Sequence, residues 1–391
     1  VMERTGGHYP APLKILEVLR KHLGSTVERS LAAEARAAGE LITSTVCKNL
    51  IHVFHLRERA RKDAGVAPGT EARPVTTVGV LGAGVMGGGI AQLAAYHDLS
   101  VRLKDIKHDA VAGGLQHARS LFDQAVAKKK LRRRDAERKM ELISGGLEYH
   151  GFGAVDVVVE AVVERLDVKR AVLREMEEAV GATCVMATNT SALRVDAMAD
   201  ALERPERFGG MHFFNPVHRM PLVEVVRGKE TDDESVATLH RLAVALGKVP
   251  LVCNDGPGFV VNRILVPYLN EAGWLLSEGA TIQEVDRAAL DFGMPMGPLR
   301  LVDEIGLDIG LDAVANLQEA LGERMAPAPP LAALAGTERR GRKNGRGFYR
   351  YEKGSKPEVD EDVYGELGSS VPPGERRGTG GDGRDIRARL V

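Results

Sequence analysis

Residues 75–87 have the sequence VTTVGVLGAGVMG, in which a short apolar run leads into a glycine-rich turn. The run is rich in β-branched residues, as in a strand buried on both faces of a parallel sheet. We expect Gly82 to allow a tight turn, Gly84 to let the backbone approach a pyrophosphate, and Gly87 to let helix and strand pack closely. A helical pattern follows at 90–96, so the stretch predicts a dinucleotide-binding strand–turn–helix.

A second predicted strand, VRLKD at residues 101–105, ends in an acid eighteen residues beyond Gly87. A carboxylate at this position accepts hydrogen bonds from ribose hydroxyls and repels a 2′-phosphate, which favours NAD over NADP. Lys104 and Lys107 flank Asp105 and leave NADP open as the alternative. A second alternative is that the glycines serve only the geometry of the turn.

The chain has 391 residues, 44% of them hydrophobic and 27% charged, which is typical of a globular protein with two or three domains. Strand-like runs alternate with helical patterns up to residue 255 and predict a parallel α/β sheet. Residues 258–321 show helical periodicity alone, and Trp274 is expected in that helical core with Leu265, Leu269 and Leu275. The predicted divisions are a helical remnant with a linker (1–74), a Rossmann-like domain (75–255), an all-α domain (256–352) and a second linker (353–391).

Composition argues against several classes of function. The formal net charge of −1 provides no overall field to attract nucleic acid. The three cysteines are far apart, with no C-x-x-C pattern and no histidines at ligand spacing, so we expect neither disulfides nor a metal site and favour a reducing compartment. No apolar run reaches the roughly 18 residues needed to span a bilayer.

A second chemical signal is HFFNP at residues 212–216, followed by an acid in the strand-like run 222–226. A loop through Pro216 and Pro221 could place His212 beside Glu224. Oxidation of an alcohol needs a base for the hydroxyl proton, and a neutral imidazole suits this role near pH 7. A carboxylate on the other ring nitrogen fixes the tautomer and stabilises the imidazolium. The alternative is a purely structural histidine–glutamate pair.

Two further polar positions follow predicted breaks in the chain. Gly256-Pro257-Gly258 precedes a helical pattern in which Asn262 lies about one turn in, where its amide could reach a substrate oxygen. An ordinary polar helix position is the alternative. Asn189-Thr190-Ser191 follows a strand-like run and is expected to cap a helix, with hydroxyls that could also face the cofactor.

These motifs together resemble the L-3-hydroxyacyl-CoA dehydrogenase family over roughly residues 76–350. The resemblance is carried by GVLGAGVMGGGIAQ, VVVEAVVERLDVK, ATNTSAL, GMHFFNPVHRMPLVEVVRG, GPGFVVNRILVPYLNEA, DFGMPMGPLRLVDEIGLDIG and KNGRGFY. It implies a Rossmann-like domain and an all-α domain with acyl-CoA in the cleft between them. The implied reaction is oxidation of 3-hydroxyacyl-CoA by NAD to 3-oxoacyl-CoA.

The resemblance also implies roles for individual residues. His212 would be the base, Glu224 its partner, and Ser191 and Asn262 would contact the substrate. The implied NAD contacts are Asn215, near the nicotinamide, and Asp105, Glu164, Lys169 and Lys343. A basic run in a predicted helical stretch, Lys128, Lys129 and Lys130 with Arg132, Arg133 and Arg134, is either a solvated face or a site for the phosphates of CoA.

Residues 1–74 resemble the end of the hydratase half of the multifunctional α-subunits of fatty-acid β-oxidation. The residues after 353 depart from those proteins, which continue into a second helical repeat. The chain is therefore expected to be part of a larger enzyme cut at both ends, with a thiolase subunit as a possible partner. The longer parent protein is expected to have hydratase activity as well, with the hydratase active site outside this chain. Its expected location is the cytoplasm of a bacterium or the mitochondrial matrix of a eukaryote.

Two other functions compete with this interpretation. Dehydrogenases of the β-hydroxyacid or 6-phosphogluconate class are expected to use a catalytic lysine in the helical domain, and their motifs do not appear. The other competitor is a non-catalytic NAD-binding scaffold segment of a multifunctional complex.

Overall fold

The computed structural model describes residues 1–352, 354–368 and 383–390. The chain divides into two compact units. One is Leu56–Val260, here called the α/β unit, and the other combines Val1–His55 with Val261–Val391 and is called the helical unit.

The α/β unit is built on a sheet whose strand order is β3-β2-β1-β4-β5-β6-β7-β8. The strands are β1 (Thr77–Leu81), β2 (Ser100–Lys104), β3 (Ile143–Gly146), β4 (Val157–Glu160), β5 (Val185–Thr188), β6 (Phe208–Phe213), β7 (Leu222–Arg227) and β8 (Val249–Asn254). The first six are in the doubly wound order of dinucleotide-binding folds, which confirms the Rossmann-like prediction. The sequence predicted a parallel sheet, and the strands from β1 to β6 pair in parallel. β7 is antiparallel to β6, because the connection between them is too short for a crossover.

Helices flank the sheet and make up most of the helical unit. In chain order they are α1 (Met2–Thr5), α2 (Pro10–His22), α3 (Val27–Thr43), α4 (Thr45–Lys62), α5 (Val85–Tyr96), α6 (His108–Ala127), α7 (Arg133–Met140), α8 (Leu166–Ala179), α9 (Val195–Ala199), α10 (Asp233–Ala245), α11 (Val261–Ser277), α12 (Ile282–Phe292), α13 (Pro298–Ile305), α14 (Leu307–Leu321), α15 (Pro329–Leu334), α16 (Val363–Leu367) and α17 (Gly383–Leu390). Two short antiparallel strands, β9 (Tyr349–Arg350) and β10 (Glu358–Val359), lie between α15 and α16.

The strands of the α/β unit are buried on both faces. In β4, Val157 and Val159 belong to one hydrophobic core, whereas Val158 belongs to a second core on the other face. Both cores need apolar side chains at successive strand positions, which explains the continuous valine run in the sequence.

Residues 64–74, predicted to be a linker, are held against α10. The backbone N–H of Ala67 donates to Asp233 Oδ2 at 2.9 Å, and that of Arg73 donates to Thr238 Oγ1 at 3.0 Å. The α/β unit therefore includes residues well before the start of β1.

The helical unit has its own core, formed by α11–α15 with α16 and α17. The helical periodicity of residues 258–321 is confirmed by α11–α14. Leu269 and Leu275 are buried and Leu265 partly so, but the prediction for Trp274 was wrong. Its side chain is 38% exposed because it lies on the outer side of α11, one position before the buried Leu275.

The described part of residues 353–391 differs from the linker that its composition predicts. Val363 and Leu367 of α16 are buried in the helical core, and Asp360 forms a buried ion pair with Arg339 at 2.8 Å. The apolar residues of this segment recur at helical spacing, but glycines and charged residues lie between them. The average composition therefore does not reveal the helix. The glycine- and proline-rich residues 369–382 lie outside the described residues. Among the described helices, none is long and apolar enough to cross a membrane.

Candidate active site

The glycine turn after β1 has the geometry that its sequence predicts. Gly82 has φ 93°, and a Cβ built on it would lie 2.5 Å from the carbonyl oxygen of Ala161. A Cβ on Gly87 would overlap the carbonyl oxygen of Gly82. A Cβ on Gly84 would meet nothing within 4 Å. Gly82 and Gly87 are therefore required by the fold, whereas Gly84 leaves open space at the start of α5.

The start of α5 is suited to an anion. Gly84 is the N-cap residue, and no side chain caps this helix end, so its first N–H groups face the open space at Gly84. Asp105 lies against the same turn, where its Oδ2 accepts a hydrogen bond from the N–H of Ala83 at 2.8 Å. An acid fixed beside an uncapped glycine turn fits the ribose and pyrophosphate of a dinucleotide.

The second group of site residues lies on neighbouring antiparallel strands. His212 of β6 and Glu224 of β7 are direct cross-strand partners. Nδ1 of the imidazole lies 2.7 Å from Glu224 Oε2, and the two residues are 4% and 0% exposed. The other carboxylate oxygen, Oε1, accepts a hydrogen bond from the N–H of Val260 at 2.9 Å. Because Nδ1 is occupied by Glu224, Nε2 is the ring nitrogen through which His212 can exchange a proton with a substrate.

Two phenylalanines surround this imidazole. The ring centroids of Phe214 and Phe259 lie 4.4 Å and 5.8 Å from that of His212. Phe259 has φ 47°, the left-handed region that residues with a side chain rarely adopt, and it is buried. Sequence reasoning missed both Phe259 and the N–H of Val260. The Gly-Pro-Gly break before them was the available signal, although it does not reveal a left-handed phenylalanine.

Glu164 organises the loop after β5. Its Oε1 accepts hydrogen bonds from Thr190 Oγ1 at 2.6 Å and from the N–H groups of Ser191 and Ala192 at 2.9 and 3.1 Å. Burial by itself raises the pKa of this carboxyl, but the Lys169 ammonium and these hydrogen bonds outweigh it, so the pKa lies below its usual range. The helix cap predicted for Asn189-Thr190-Ser191 was wrong, because α9 begins only at Val195 and these residues bind Glu164 and β6 instead.

Lys169 is buried between two carboxylates. Its Nζ lies 2.8 Å from Glu160 Oε1 and 3.3 Å from Glu164 Oε2. Glu160, at the end of β4, also accepts a hydrogen bond from Thr188 Oγ1 at 2.7 Å. Lys169 thus connects a fully buried acid to the acid that holds the Ser191 loop. Sequence reasoning missed Glu160, although a buried valine run that ends in an acid, as in β2, was a usable signal.

The remaining predicted residues lie on the connection between β6 and β7 or in the helical unit. Asn215 is exposed on the connection between β6 and β7. Asn262 is the second residue of α11, and Lys343 pairs with Asp308 at 2.9 Å, both within the helical unit. The roles of these residues toward cofactor or substrate stay predictions.

The basic run differs from the predicted helical stretch. α6 ends at Ala127, Lys129 has φ 57°, and α7 begins at Arg133, so the lysines form an exposed turn between two helices. The arginines here are partly neutralised, since Arg132 pairs with Asp135 at 2.7 Å and Arg133 pairs with Asp123.

Family models match most of the chain. Residues 77–256 match the model described as 3-hydroxyacyl-CoA dehydrogenase, NAD binding domain. Residues 258–351 match the model described as 3-hydroxyacyl-CoA dehydrogenase, C-terminal domain. The two matches follow one another along the chain, as the sequence motifs do.

Individual proteins give the same result. The fatty acid oxidation complex subunit alpha of Vibrio parahaemolyticus is 40% identical over 365 residues, which is 93% of this chain and 51% of that protein. The subunit alpha of Shewanella baltica is 39% identical over 394 residues, covering 100% of this chain and 55% of that protein. The chain spans about half the length of these curated relatives.

A solved structure also matches a large part of the chain. The crystal structure of (S)-3-hydroxybutyryl-CoA dehydrogenase from Ralstonia eutropha is 40% identical, with a TM-score of 0.69. The match covers 71% of this chain and 100% of that one. With its NAD-binding and C-terminal regions both matched, the chain belongs to the 3-hydroxyacyl-CoA dehydrogenase family, and NAD is its cofactor.

Proposed function

We propose that this chain catalyses the oxidation of L-3-hydroxyacyl-CoA to 3-oxoacyl-CoA with NAD. The observation that carries the proposal is the buried pair of His212 and Glu224, with 2.7 Å between Nδ1 and Oε2. A neutral imidazole in one fixed tautomer is the base that removal of an alcohol proton requires. A scaffold segment has no need of such a pair in addition to the glycine turn.

The residues divide the work of the reaction. NAD, when bound, would supply the oxidant that takes the hydride from C3, and Gly82, Gly84 and Asp105 would hold it. Nε2 of His212 accepts the hydroxyl proton as the C3–H and O–H bonds break and the C=O bond forms. Glu224 keeps the proton on Nδ1 and stabilises the imidazolium that results. The N–H of Val260 holds the second carboxylate oxygen and so fixes the plane of the pair.

Other residues are proposed to bind rather than react. Ser191 and Asn262 would contact the substrate oxygens, with the Ser191 loop held in place by Glu164. Glu164, Lys169, Asn215 and Lys343 would contact or support NAD, and Lys128, Lys129 and Lys130 would bind the phosphates of CoA.

The stereochemistry and the biological setting come from relatives. The Ralstonia eutropha structure is named as an (S)-3-hydroxybutyryl-CoA dehydrogenase, which supports the L-isomer as substrate. The Vibrio and Shewanella relatives are named as subunits of a fatty acid oxidation complex, which supports a place in β-oxidation. Hydratase activity of a longer parent protein, a thiolase partner, and a cytoplasmic or matrix location stay predictions.

An assay of the purified chain tests the proposal. NADH oxidation is followed with acetoacetyl-CoA, and NAD reduction with the L- and D-isomers of 3-hydroxybutyryl-CoA. We expect turnover with acetoacetyl-CoA and the L-isomer, and a strong preference for NADH over NADPH because Asp105 repels a 2′-phosphate. NADH binding without turnover would instead support the scaffold function. Turnover of the D-isomer alone would contradict the proposed stereochemistry.

A further inference from the structure

A buried lysine outside the predicted site binds the connection between β6 and β7, the strands that carry His212 and Glu224. This connection, residues 214–221, joins β6 to β7. Lys248 lies just before β8 and is 4% exposed. Its Nζ donates hydrogen bonds to the carbonyl oxygens of Val217 and, at 2.7 Å, Met220. One ammonium group therefore binds two points of the connection.

The connection is part of the cofactor side of the α/β unit. It carries Asn215, two residues before Val217. Val217 is buried and packs against α5, the helix that starts at the glycine turn, since a Cβ on Gly89 would lie 3.1 Å from Val217 Cγ2. The N–H groups of Arg219 and Met220 both donate to the carbonyl oxygen of Pro216, which closes a compact turn around the ammonium.

The charge of Lys248 is not balanced by an anion. Within the described residues its partners are carbonyl oxygens, and no carboxylate lies at ion-pair distance from Nζ. Burial lowers the pKa of Lys248 to about 8. A buried cation without a counter-ion reduces stability, so packing alone does not account for a lysine at this position.

The ionisable groups around Lys248 also leave its charge unbalanced. Its charge acts on two histidines, His97 just after α5 and His218 of the connection, and the other cations that act on these rings are Lys139 for His97 and Arg219 and Lys128 for His218. Burial is the main reason why the pKa values of His97 and His218 are lowered, so both rings are neutral where Lys248 titrates. Asp98, the acid that acts on His97, is paired with Lys139 at 2.8 Å.

We infer that Lys248 is a positioning residue for the cofactor, whose ammonium holds residues 214–221 in the shape that presents Asn215. Loss of the proton leaves an amine with two N–H donors, so the hydrogen bonds to the carbonyls weaken without disappearing. Cofactor affinity therefore falls as the pH rises through the range in which Lys248 titrates. The inference rests on the proposed function, in which Asn215 contacts the nicotinamide.

NADH binding measured by fluorescence between about pH 6.5 and pH 9.5 tests the inference. In the unmodified chain, the Kd for NADH should rise about tenfold with a midpoint near pH 8. Lys248→Arg keeps its charge throughout, so its Kd should not change with pH in this range. Lys248→Met should have a weakened Kd already at neutral pH and no midpoint. Lys229→Met, at an exposed lysine of the same unit, is the control and should match the unmodified chain.

Two results would overturn the inference. One is a Lys248→Met chain that binds NADH as tightly as the unmodified chain. The other is a Lys248→Arg chain that retains the midpoint near pH 8, which would assign the titration to another group. If Lys248→Met fails to fold, the comparison of Lys248→Arg with the unmodified chain still decides. If the unmodified chain binds no NADH at any pH, the proposed function itself is contradicted, together with the inference that rests on it. That result can be told apart from the two above, in which the unmodified chain does bind NADH.

Discussion

Both units bury carboxylates, but the partners of these carboxylates differ. In the α/β unit, Glu224 binds the imidazole of His212. In the helical unit, Asp303 accepts hydrogen bonds from the N–H groups of Phe348 and Tyr349, both at 2.9 Å, and from Tyr351 OH at 3.1 Å. A carboxylate whose oxygens are taken by backbone donors fixes a loop. A carboxylate bound to an imidazole, which can exchange a proton near neutral pH, instead prepares that ring for proton transfer.

This comparison explains why burial alone does not identify a catalytic acid. Asp303 is fully buried, and burial raises its pKa to about 6 despite the hydrogen bonds that act in the opposite direction. A perturbed pKa is typical of active sites, but structural networks produce it too. The chemistry of the partner distinguishes the two, and substitutions at each site should separate activity from stability.

The largest expected effect is that of Glu224→Gln on turnover. The amide NH₂ facing Nδ1 would favour the tautomer protonated on Nε2, which cannot accept the substrate proton. We expect kcat to fall by about 10²–10⁴, while the melting temperature stays close to that of the unmodified chain. A large loss of stability with kcat retained would place Glu224 in the same class as Asp303.

Asp303→Asn should have the opposite outcome. One amide oxygen cannot accept from donors that now use both carboxylate oxygens, so we expect a loss of about 2–4 kcal/mol in the free energy of unfolding. The kcat of the folded fraction should stay near the unmodified value. Urea titrations together with activity at low urea measure both quantities.

The difference in the free energy of unfolding between the unmodified chain and Asp303→Asn should also depend on pH. The pKa of Asp303 is about 6 in the fold, against 3.8 as the ordinary value, so the folded chain binds more protons than the unfolded chain between these values. The contribution of Asp303 to stability therefore decreases as the pH rises through this range. The advantage of the unmodified chain over Asp303→Asn should be larger at about pH 5 than at pH 7. An advantage that grows with pH would contradict the raised pKa.

Two substitutions in the glycine turn should separate an effect on cofactor binding from an effect on stability. Gly84→Ala adds a Cβ in open space, so the fold should tolerate it, but the methyl would obstruct a pyrophosphate. We expect the Kd for NADH to rise about tenfold or more with little change in melting temperature. Gly87→Ala should lower the melting temperature, because its Cβ would overlap the carbonyl oxygen of Gly82. Normal NADH binding by Gly84→Ala would mean that the cofactor does not lie on this turn.

The smallest expected effect is that of replacing Lys128, Lys129 and Lys130 together by alanine. These side chains are exposed, and screening by salt limits what each contributes to binding. We expect KM for acyl-CoA to rise a few-fold at low ionic strength with little change in kcat, and the effect to diminish as salt is added. An unchanged KM at low salt would leave the turn as an ordinary solvated surface.

The sequence was sufficient for features that depend on local sterics or on strand pairing. The glycine turn was predictable because the spacing of its three glycines depends only on contacts within one strand, the turn that follows it and the next helix. The His212–Glu224 pair was predictable because two strands joined by a short loop bring residues at that spacing side by side. The family resemblance supplied the candidate ligand contacts, such as Glu164 and Lys169.

Features that depend on distant packing were not predictable. The strand Ile143–Gly146 was missed because Ser-Gly-Gly is typical of a turn, and only the neighbouring β2 stabilises it as an edge strand. The hydrogen bond between Val260 and Glu224 joins residues 36 positions apart, and that between Lys248 and Val217 joins residues 31 apart. Sequence periodicity contains no signal for such contacts.

The most direct test of the central claim is the kcat of His212→Ala, measured alongside its NADH binding. If His212 is the base, kcat should fall by about 10²–10⁴ while the Kd for NADH is retained. His240→Ala is the matched control, since His240 is also buried in the α/β unit but binds the carbonyl oxygen of Ala60. That control should lose stability and keep its kcat once folded. Near-normal turnover by folded His212→Ala would contradict the assignment of His212 as the proton acceptor.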